Sequence, residues 1–177
     1  MKILVIGSCR NSDLESKVEL SKEIAEELGK ELALRGHEVV TGGAGGLQGT
    51  LVTSYKKNNG KIWTVYFASG EEKEENARPL EKTKADEEII TGYNYAVRDA
   101  FYTGEADAVV ALSGKLLTFA EIIHAARNYK KKVFQLEMGD NIQRIRESSE
   151  LQEKVFVSND IPKGLDFLEG KILAYSL

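Results

Sequence analysis

Two side chains in this sequence have types suited to chemistry on a small polar substrate, Arg98 and Glu121. A carboxylate can deprotonate water or hold sugar hydroxyls, and a guanidinium can clamp a phosphate or hydroxyl through its paired N–H donors. The third feature is the run Gly42-Gly43-Ala44-Gly45-Gly46-Leu47-Gln48-Gly49. Glycines let the backbone approach an anion closely, and a helix opening there adds partial positive charge. Gln48 stands where a G-x-G-x-x-G pattern counted from Gly43 needs its last glycine, so a conventional dinucleotide site is not indicated. Four glycines in five residues exceed what a turn needs. The run therefore reads as a phosphate or nucleotide loop, against the plainer reading of a tight turn with close helix–strand packing.

The other candidates carry competing readings too. Thr118-Phe119-Ala120-Glu121 fits a capping box, in which the threonine oxygen caps a helix and the glutamate reaches back to the cap N–H. On spacing alone the cap is favoured over a base or ribose anchor at the mouth of a site. Arg98, on a helix after Thr91-Gly92, is either a solvated charge or a group reaching a phosphate or substrate hydroxyl. Cys9 has no histidine near it in sequence, and a small residue in a close turn is the better reading than a nucleophile.

These residues have to be positioned by something, and the pattern is an alternation of strand and helix. Lys2–Ile6, Glu38–Thr41, Lys61–Phe67, Asp107–Leu112, Lys132–Leu136 and Lys154–Val157 read as strands, with order also returning at Glu88–Thr91. Ser12 and Asp13 are N-cap candidates for a long helix with Val18, Ser21, Ile24, Ala25, Leu28 and Leu32 on one face. Further helices are expected over Leu47–Lys57, near Tyr93–Tyr102, and from Thr118 to about Tyr129. Gly70 to Glu88 is charged and aperiodic, a surface loop in preference to a lid. Such an order predicts an α/β fold, a Rossmann-like three-layer α/β/α arrangement on a mainly parallel sheet, with residues 1–177 as one domain. Ligands in such folds lie beyond the strand C-termini, which puts the functional residues in Gly7–Arg10, Gly42–Gly49, Thr91–Arg98 and Ser113–Glu121.

Composition narrows the classes. Twenty-four basic against 28 acidic residues give a net charge of −4, against the basic excess usual in nucleic-acid binders. The run Lys130-Lys131-Lys132 reads as the solvated end of a helix. One cysteine excludes an internal disulfide, and two histidines far apart offer no clustered metal site, so neither metal nor cofactor is expected. Hydrophobic residues at 42% and charged residues at 29%, with no long apolar run, lead to the expectation of a cytoplasmic protein with no membrane partner.

The first strand with Gly7-Ser8, the long helix, Thr41 to Gly49, and Ala106-Asp107-Ala108-Val109-Val110-Ala111-Leu112 resemble the LOG ("Lonely guy") family, whose relatives are often labelled "possible lysine decarboxylase". The resemblance is closest to its small bacterial and archaeal members and covers roughly Lys2 to Leu136. It implies a Rossmann-like fold, a homodimer, and a nucleotide-like small-molecule ligand, a nucleoside 5′-monophosphate. Characterised members cleave the N-glycosidic bond to release base and ribose 5-phosphate. Their signature is proline or glycine, glycine-glycine, any residue, glycine-threonine, two residues, glutamate. The stretch Ser113 to Glu121 matches it at Gly114, Thr118 and Glu121, and the family's arginine falls on Arg98. Ser113, Lys115 and Leu117 depart from it. Leu117 adds a side chain where the family's backbone presses on phosphate, and Lys115 could supply a charge to that phosphate.

The resemblance thus implies Arg98 and Glu121 as catalytic residues. It implies a phosphate or nucleotide site of Gly7, Ser8, Gly42, Gly43, Gly45, Gly46, Gly114, Lys115 and Thr118. Three readings stand: a nucleotide phosphoribohydrolase, a non-catalytic nucleotide-binding or sensing protein of the same fold, and an interaction protein or DNA-handling relative of the DNA-processing protein A type.

Overall fold

The computed structural model describes residues 1–7, 18–43, 45–70, 84–138 and 141–174. Strands β1 (Lys2–Ile6), β2 (Glu38–Thr41), β3 (Trp63–Phe67), β4 (Glu87–Ile90), β5 (Ala108–Ala111), β6 (Lys132–Gln135) and β7 (Val155–Val157) form one sheet. Its order is β4-β3-β2-β1-β5-β6-β7, and every neighbouring pair is parallel. The helices between them are α1 (Val18–Leu34), α2 (Gly46–Lys57), α3 (Tyr95–Glu105), α4 (Leu116–Ile123), α5 (Ile142–Glu147), α6 (Ser149–Gln152) and α7 (Ile161–Leu168). The result is the three-layer α/β/α fold expected from the alternation.

Both faces of the sheet are covered, which is why the central strands are continuous apolar runs rather than alternating ones. Along β1, Ile3 and Val5 join a core with Leu28 and Leu32 of α1, Leu51 and Tyr55 of α2, and Leu165 and Phe167 of α7. The intervening Leu4 and Ile6 face the other way, into a core with Tyr102 of α3 and Ile122 of α4. The expected helical face on α1 holds where it is described, with Ser21, Ala25, Leu28 and Leu32 buried. The cap candidates Ser12 and Asp13, the turn residue Cys9, and most of the 70–88 segment lie outside the described residues.

Two local expectations are corrected. The helix after Gly92 begins at Tyr95 because Asn94 caps it, its side chain accepting from the Val97 N–H at 3.1 Å. The helix expected from Thr118 begins at Leu116, and past Ile123 it widens into a π-helical turn, His124–Asn128. The lysine run closes this helix as expected and then enters β6: exposed Lys130 takes φ 56°, the Lys131 N–H returns to the Ala125 carbonyl at 3.0 Å, and the Lys132 ammonium donates to the Phe167 carbonyl at 2.8 Å over that residue's ring.

Candidate functional site

The chain steps from β1 outward through β2, β3 and β4, then returns to place β5 on the opposite side of β1. Strand order reverses between β1 and β5, and the edge beyond their C-terminal ends is the position where open parallel sheets take ligands. Gly7 ends β1 there with φ +135°. A Cβ on it would lie 2.6 Å from the Ser113 carbonyl oxygen and 3.0 Å from the Ser113 nitrogen. Only glycine lets the ends of β1 and β5 meet so closely. Gly114 is held similarly at φ +147°, where a Cβ would collide with the Thr118 side chain.

Two helices open at this edge. Gly45, in extended conformation, precedes α2 and brings no side-chain cap. Lys115 precedes α4, likewise extended and with no side-chain cap hydrogen bond. First-turn N–H groups at such ends carry partial positive charge and have no partner within the helix. The loop before α4 is fastened from behind. Asn141, buried, donates through Nδ2 to the carbonyls of Gly114 at 2.8 Å and Lys115 at 2.9 Å.

Arg98 is not a solvated charge: it is 8% exposed. Its Nη1 donates to the Gly42 carbonyl at 2.7 Å, and its Nε and Nη2 donate to Asp99 Oδ1 at 3.0 and 2.7 Å. The guanidinium also lies over the rings of Tyr95 and Tyr102, at 5.0 and 5.5 Å from their centroids. Arg98 therefore brackets the start of the glycine loop onto α3, and a Cβ on Gly42 would lie 3.0 Å from the Tyr102 ring and 3.2 Å from the Arg98 guanidinium, so both side chains would have to shift.

Glu121 overturns the capping-box reading. With α4 starting at Leu116, Thr118 is the third residue inside the helix, and no side chain of a Thr118 cap exists for Glu121 to reciprocate. Instead Glu121 Oε1 accepts a 2.7 Å hydrogen bond from the Tyr102 hydroxyl. Burial pushes the carboxyl up to about 7, and the Asp99 charge pushes the same way, against the Tyr102 hydrogen bond and the Arg98 charge. Tyr102 itself is driven well above its ordinary value, first by burial and then by the Glu121 charge. A carboxyl poised near neutrality can accept or release a proton at physiological pH.

Of the expected site residues, Gly7, Gly42, Gly43, Gly45, Gly46, Gly114, Thr118, Arg98 and Glu121 all lie at or beside this edge. Lys115 is there too, exposed at the start of α4, followed by Leu117, which is 83% exposed. Ser8 lies outside the described residues. Sequence reasoning missed Tyr102, Asn141 and Gln48 as contributors. Tyr102 carried a usable signal, since four residues after Arg98 it must share a helix face. Asn141 carried none. Gln48 had been read only as a missing glycine. It is buried, its Nε2 donates to the Gly7 carbonyl at 3.3 Å, and among the described residues neither its Oε1 nor the buried Ser113 Oγ has a hydrogen-bond partner.

Among the described residues no group of three or more metal-ligating side chains occurs, and no helix is long and apolar enough to cross a membrane.

No curated protein matches the chain. Solved structures do. The X-ray structure of TM1055 is 19% identical with a TM-score of 0.77, covering 96% of this chain and 98% of that one. The molybdenum cofactor carrier protein from Chlamydomonas reinhardtii is 23% identical with a TM-score of 0.73, covering 96% of both. DNA processing protein A from Helicobacter pylori, solved for its single-stranded DNA binding mode, is 18% identical with a TM-score of 0.67, covering 97% of this chain and 81% of that one. At these identities the likeness is one of fold, and the charge-based expectation against a nucleic-acid partner draws no support from it. A family model matches residues 1–164, and on that match the chain belongs to the SLOG cluster4 family, part of the LOG-like Rossmann-type superfamily.

Proposed function

We propose that this protein binds a nucleoside 5′-monophosphate-like molecule across the β1/β5 edge and hydrolyses its N-glycosidic bond. The observation that carries the reading is the Glu121 carboxyl, held by Tyr102 beside the Arg98-bracketed glycine loop and poised at about 7. The 5′-phosphate would sit on the N–H groups at the starts of α2 and α4, near Gly43, Gly45, Gly46, Gly114 and Thr118, with the Lys115 ammonium beside it. Gly7 lets the ends of β1 and β5 close up beneath the ligand.

In this reading Glu121 takes a proton from water as the water oxygen bonds to the ribose C1′. The C1′–N bond breaks, its electron pair leaves with the base nitrogen, and that nitrogen takes up a proton from water while Glu121 returns its own proton to water, restoring the carboxylate. Positive charge builds on the sugar in the transition state, and the ionised carboxylate beside it stabilises that charge. Arg98 acts by fixing the Gly42 turn and, through its charge, by keeping part of Glu121 ionised.

A second reading, binding without turnover, is supported by Leu117. Its exposed side chain stands in the first turn of α4, where a phosphate would approach. The likeness to a molybdenum cofactor carrier protein is in keeping with a fold that holds a small molecule without turning it over.

One experiment separates the two. Purified protein is incubated with a panel of nucleoside monophosphates while free base is followed by chromatography and binding by thermal shift. Base release that disappears in Glu121→Gln supports hydrolysis. A thermal shift without base release supports the carrier, and neither signal overturns both.

A further inference from the structure

We infer that Tyr102 is the positioning residue for Glu121: its hydroxyl fixes Oε1 and leaves Oε2 as the working oxygen of the carboxylate. The role assigned to that oxygen rests on the proposed hydrolysis, whereas the hydrogen bond and its effect on Glu121 do not.

The geometry supports one direction of action. Tyr102 is among the most deeply buried side chains of the protein, wedged between Arg98, Tyr66 and the Cα of Gly42. Its hydroxyl is 2.7 Å from Glu121 Oε1, and no other hydrogen bond of that hydroxyl occurs among the described residues. A phenol so far from ionising keeps its proton, and facing an ionised carboxylate it is the donor of the pair. A donor to an ionised carboxylate is charge-assisted and stronger than one to the neutral acid, so Tyr102 favours the basic form of Glu121.

The position is also mechanical. Arg98 and Tyr102 are one turn apart on α3, so the helix that brackets the glycine loop also orients the carboxyl on α4. The ionisable groups bearing on Glu121 all belong to α3: Tyr102 through its hydrogen bond, Asp99 and Arg98 through their charges. Of these, only Tyr102 contacts it directly. Rotating Glu121 to any other partner would leave the buried phenol unsatisfied, a penalty that locks the carboxyl in one orientation.

The test is the titration of Glu121 in ligand-free protein, followed by carbon-13 carboxyl shifts and assigned with Glu121→Gln. Tyr102→Phe, which keeps the ring and removes only the donor, is expected to raise the Glu121 titration midpoint by roughly one pH unit, a tenfold loss of base at a fixed lower pH. A fluorotyrosine placed at position 102 strengthens the donor and is expected to move the midpoint down. It keeps the test valid should the phenylalanine variant fold poorly. An unchanged midpoint in whichever variants fold overturns the assignment, as does a downward move in Tyr102→Phe.

Base release then divides the two claims. A shifted titration with the pH–rate profile displaced in parallel supports both. A shifted titration with no base release from any nucleotide retains Tyr102 as the positioning residue and rejects the hydrolysis.

Discussion

The Arg98 guanidinium donates to the Gly42 carbonyl at 2.7 Å, joining residues 56 positions apart and tying helix α3 to the turn that leaves β2. That one bond makes the glycine loop part of a rigid framework instead of a free turn. Arg98 also donates through Nε and Nη2 to Asp99, so its first task is to hold the protein and its second to bear on a ligand. Arg98→Met is expected to cost about 2 kcal/mol, the scale of a buried charged hydrogen bond, and to weaken nucleotide binding more than tenfold. Arg98→Lys is not expected to rescue it, because an ammonium cannot reach the loop carbonyl and Asp99 in the same fork. Urea unfolding alongside nucleotide thermal shift checks both points.

Glu121 ties stability to pH in a definite direction. Its folded value of about 7 lies above the ordinary 4.5, so the folded state holds the proton more tightly across that window. The folded state therefore loses stability as pH rises from about 4.5 to about 7, by roughly 3 kcal/mol. Glu121→Gln removes this loss. The difference in urea midpoint between the variant and the native protein should thus grow from pH 5 to pH 8, in the variant's favour.

The opposite sign is expected at the far end of the sheet. Glu169 is pushed up by burial but held down to about 2 by hydrogen bonds from Lys171, His37 and Arg35. His37 Nε2 lies 2.8 Å from Glu169 Oε1, and Arg35 Nη1 reaches Glu169 Oε2 at 3.2 Å and Asp166 Oδ1 at 2.7 Å, fastening α7 to the turn before β2. This stabilisation is present above pH 4.5 and is lost as pH falls towards 2. Glu169→Gln is expected to lower stability by about 1–2 kcal/mol at pH 7 and to flatten the acid-unfolding curve between pH 4.5 and 2, with no effect on ligand binding.

At the β1/β5 edge, Gly7→Ala should be costly. The new methyl would meet the Ser113 backbone rather than a movable side chain, and the residue would be held at φ +135°. A loss of about 2–3 kcal/mol in equilibrium unfolding is expected. Asn141→Ala, by contrast, frees the carbonyls of Gly114 and Lys115 at a cost of about 1–2 kcal/mol, and should weaken binding through loosening of the loop before α4.

The sheet was legible because its strands are short apolar runs with sharp ends. Gly7 stops β1, Gly42 stops β2, and the alternation with helices leaves a parallel sheet as the only compact arrangement. The site edge followed from that topology. What spacing could not show was direction. Thr118 and Glu121 have the same three-residue separation whether a helix begins at 118 or two residues earlier, and Leu116 and Leu117, both exposed, give no apolar face to mark the earlier start. The partner that decides the matter, Tyr102, is 19 residues from Glu121 on another helix. Asn141 is similarly remote from the loop it fastens. Contacts of this kind are made by packing two elements on one sheet face, and no local pattern encodes them.

The most direct measurement is an amide nitrogen–proton spectrum of the isotopically labelled protein, recorded as a nucleoside 5′-monophosphate is titrated in. The account predicts saturable shifts at Gly43, Gly45, Gly46, Gly114 and Thr118, with Arg98 and Glu121 side-chain signals moving in step and the Glu169 end of the sheet silent. Shifts confined to other surfaces, or no shifts at millimolar nucleotide, would contradict it.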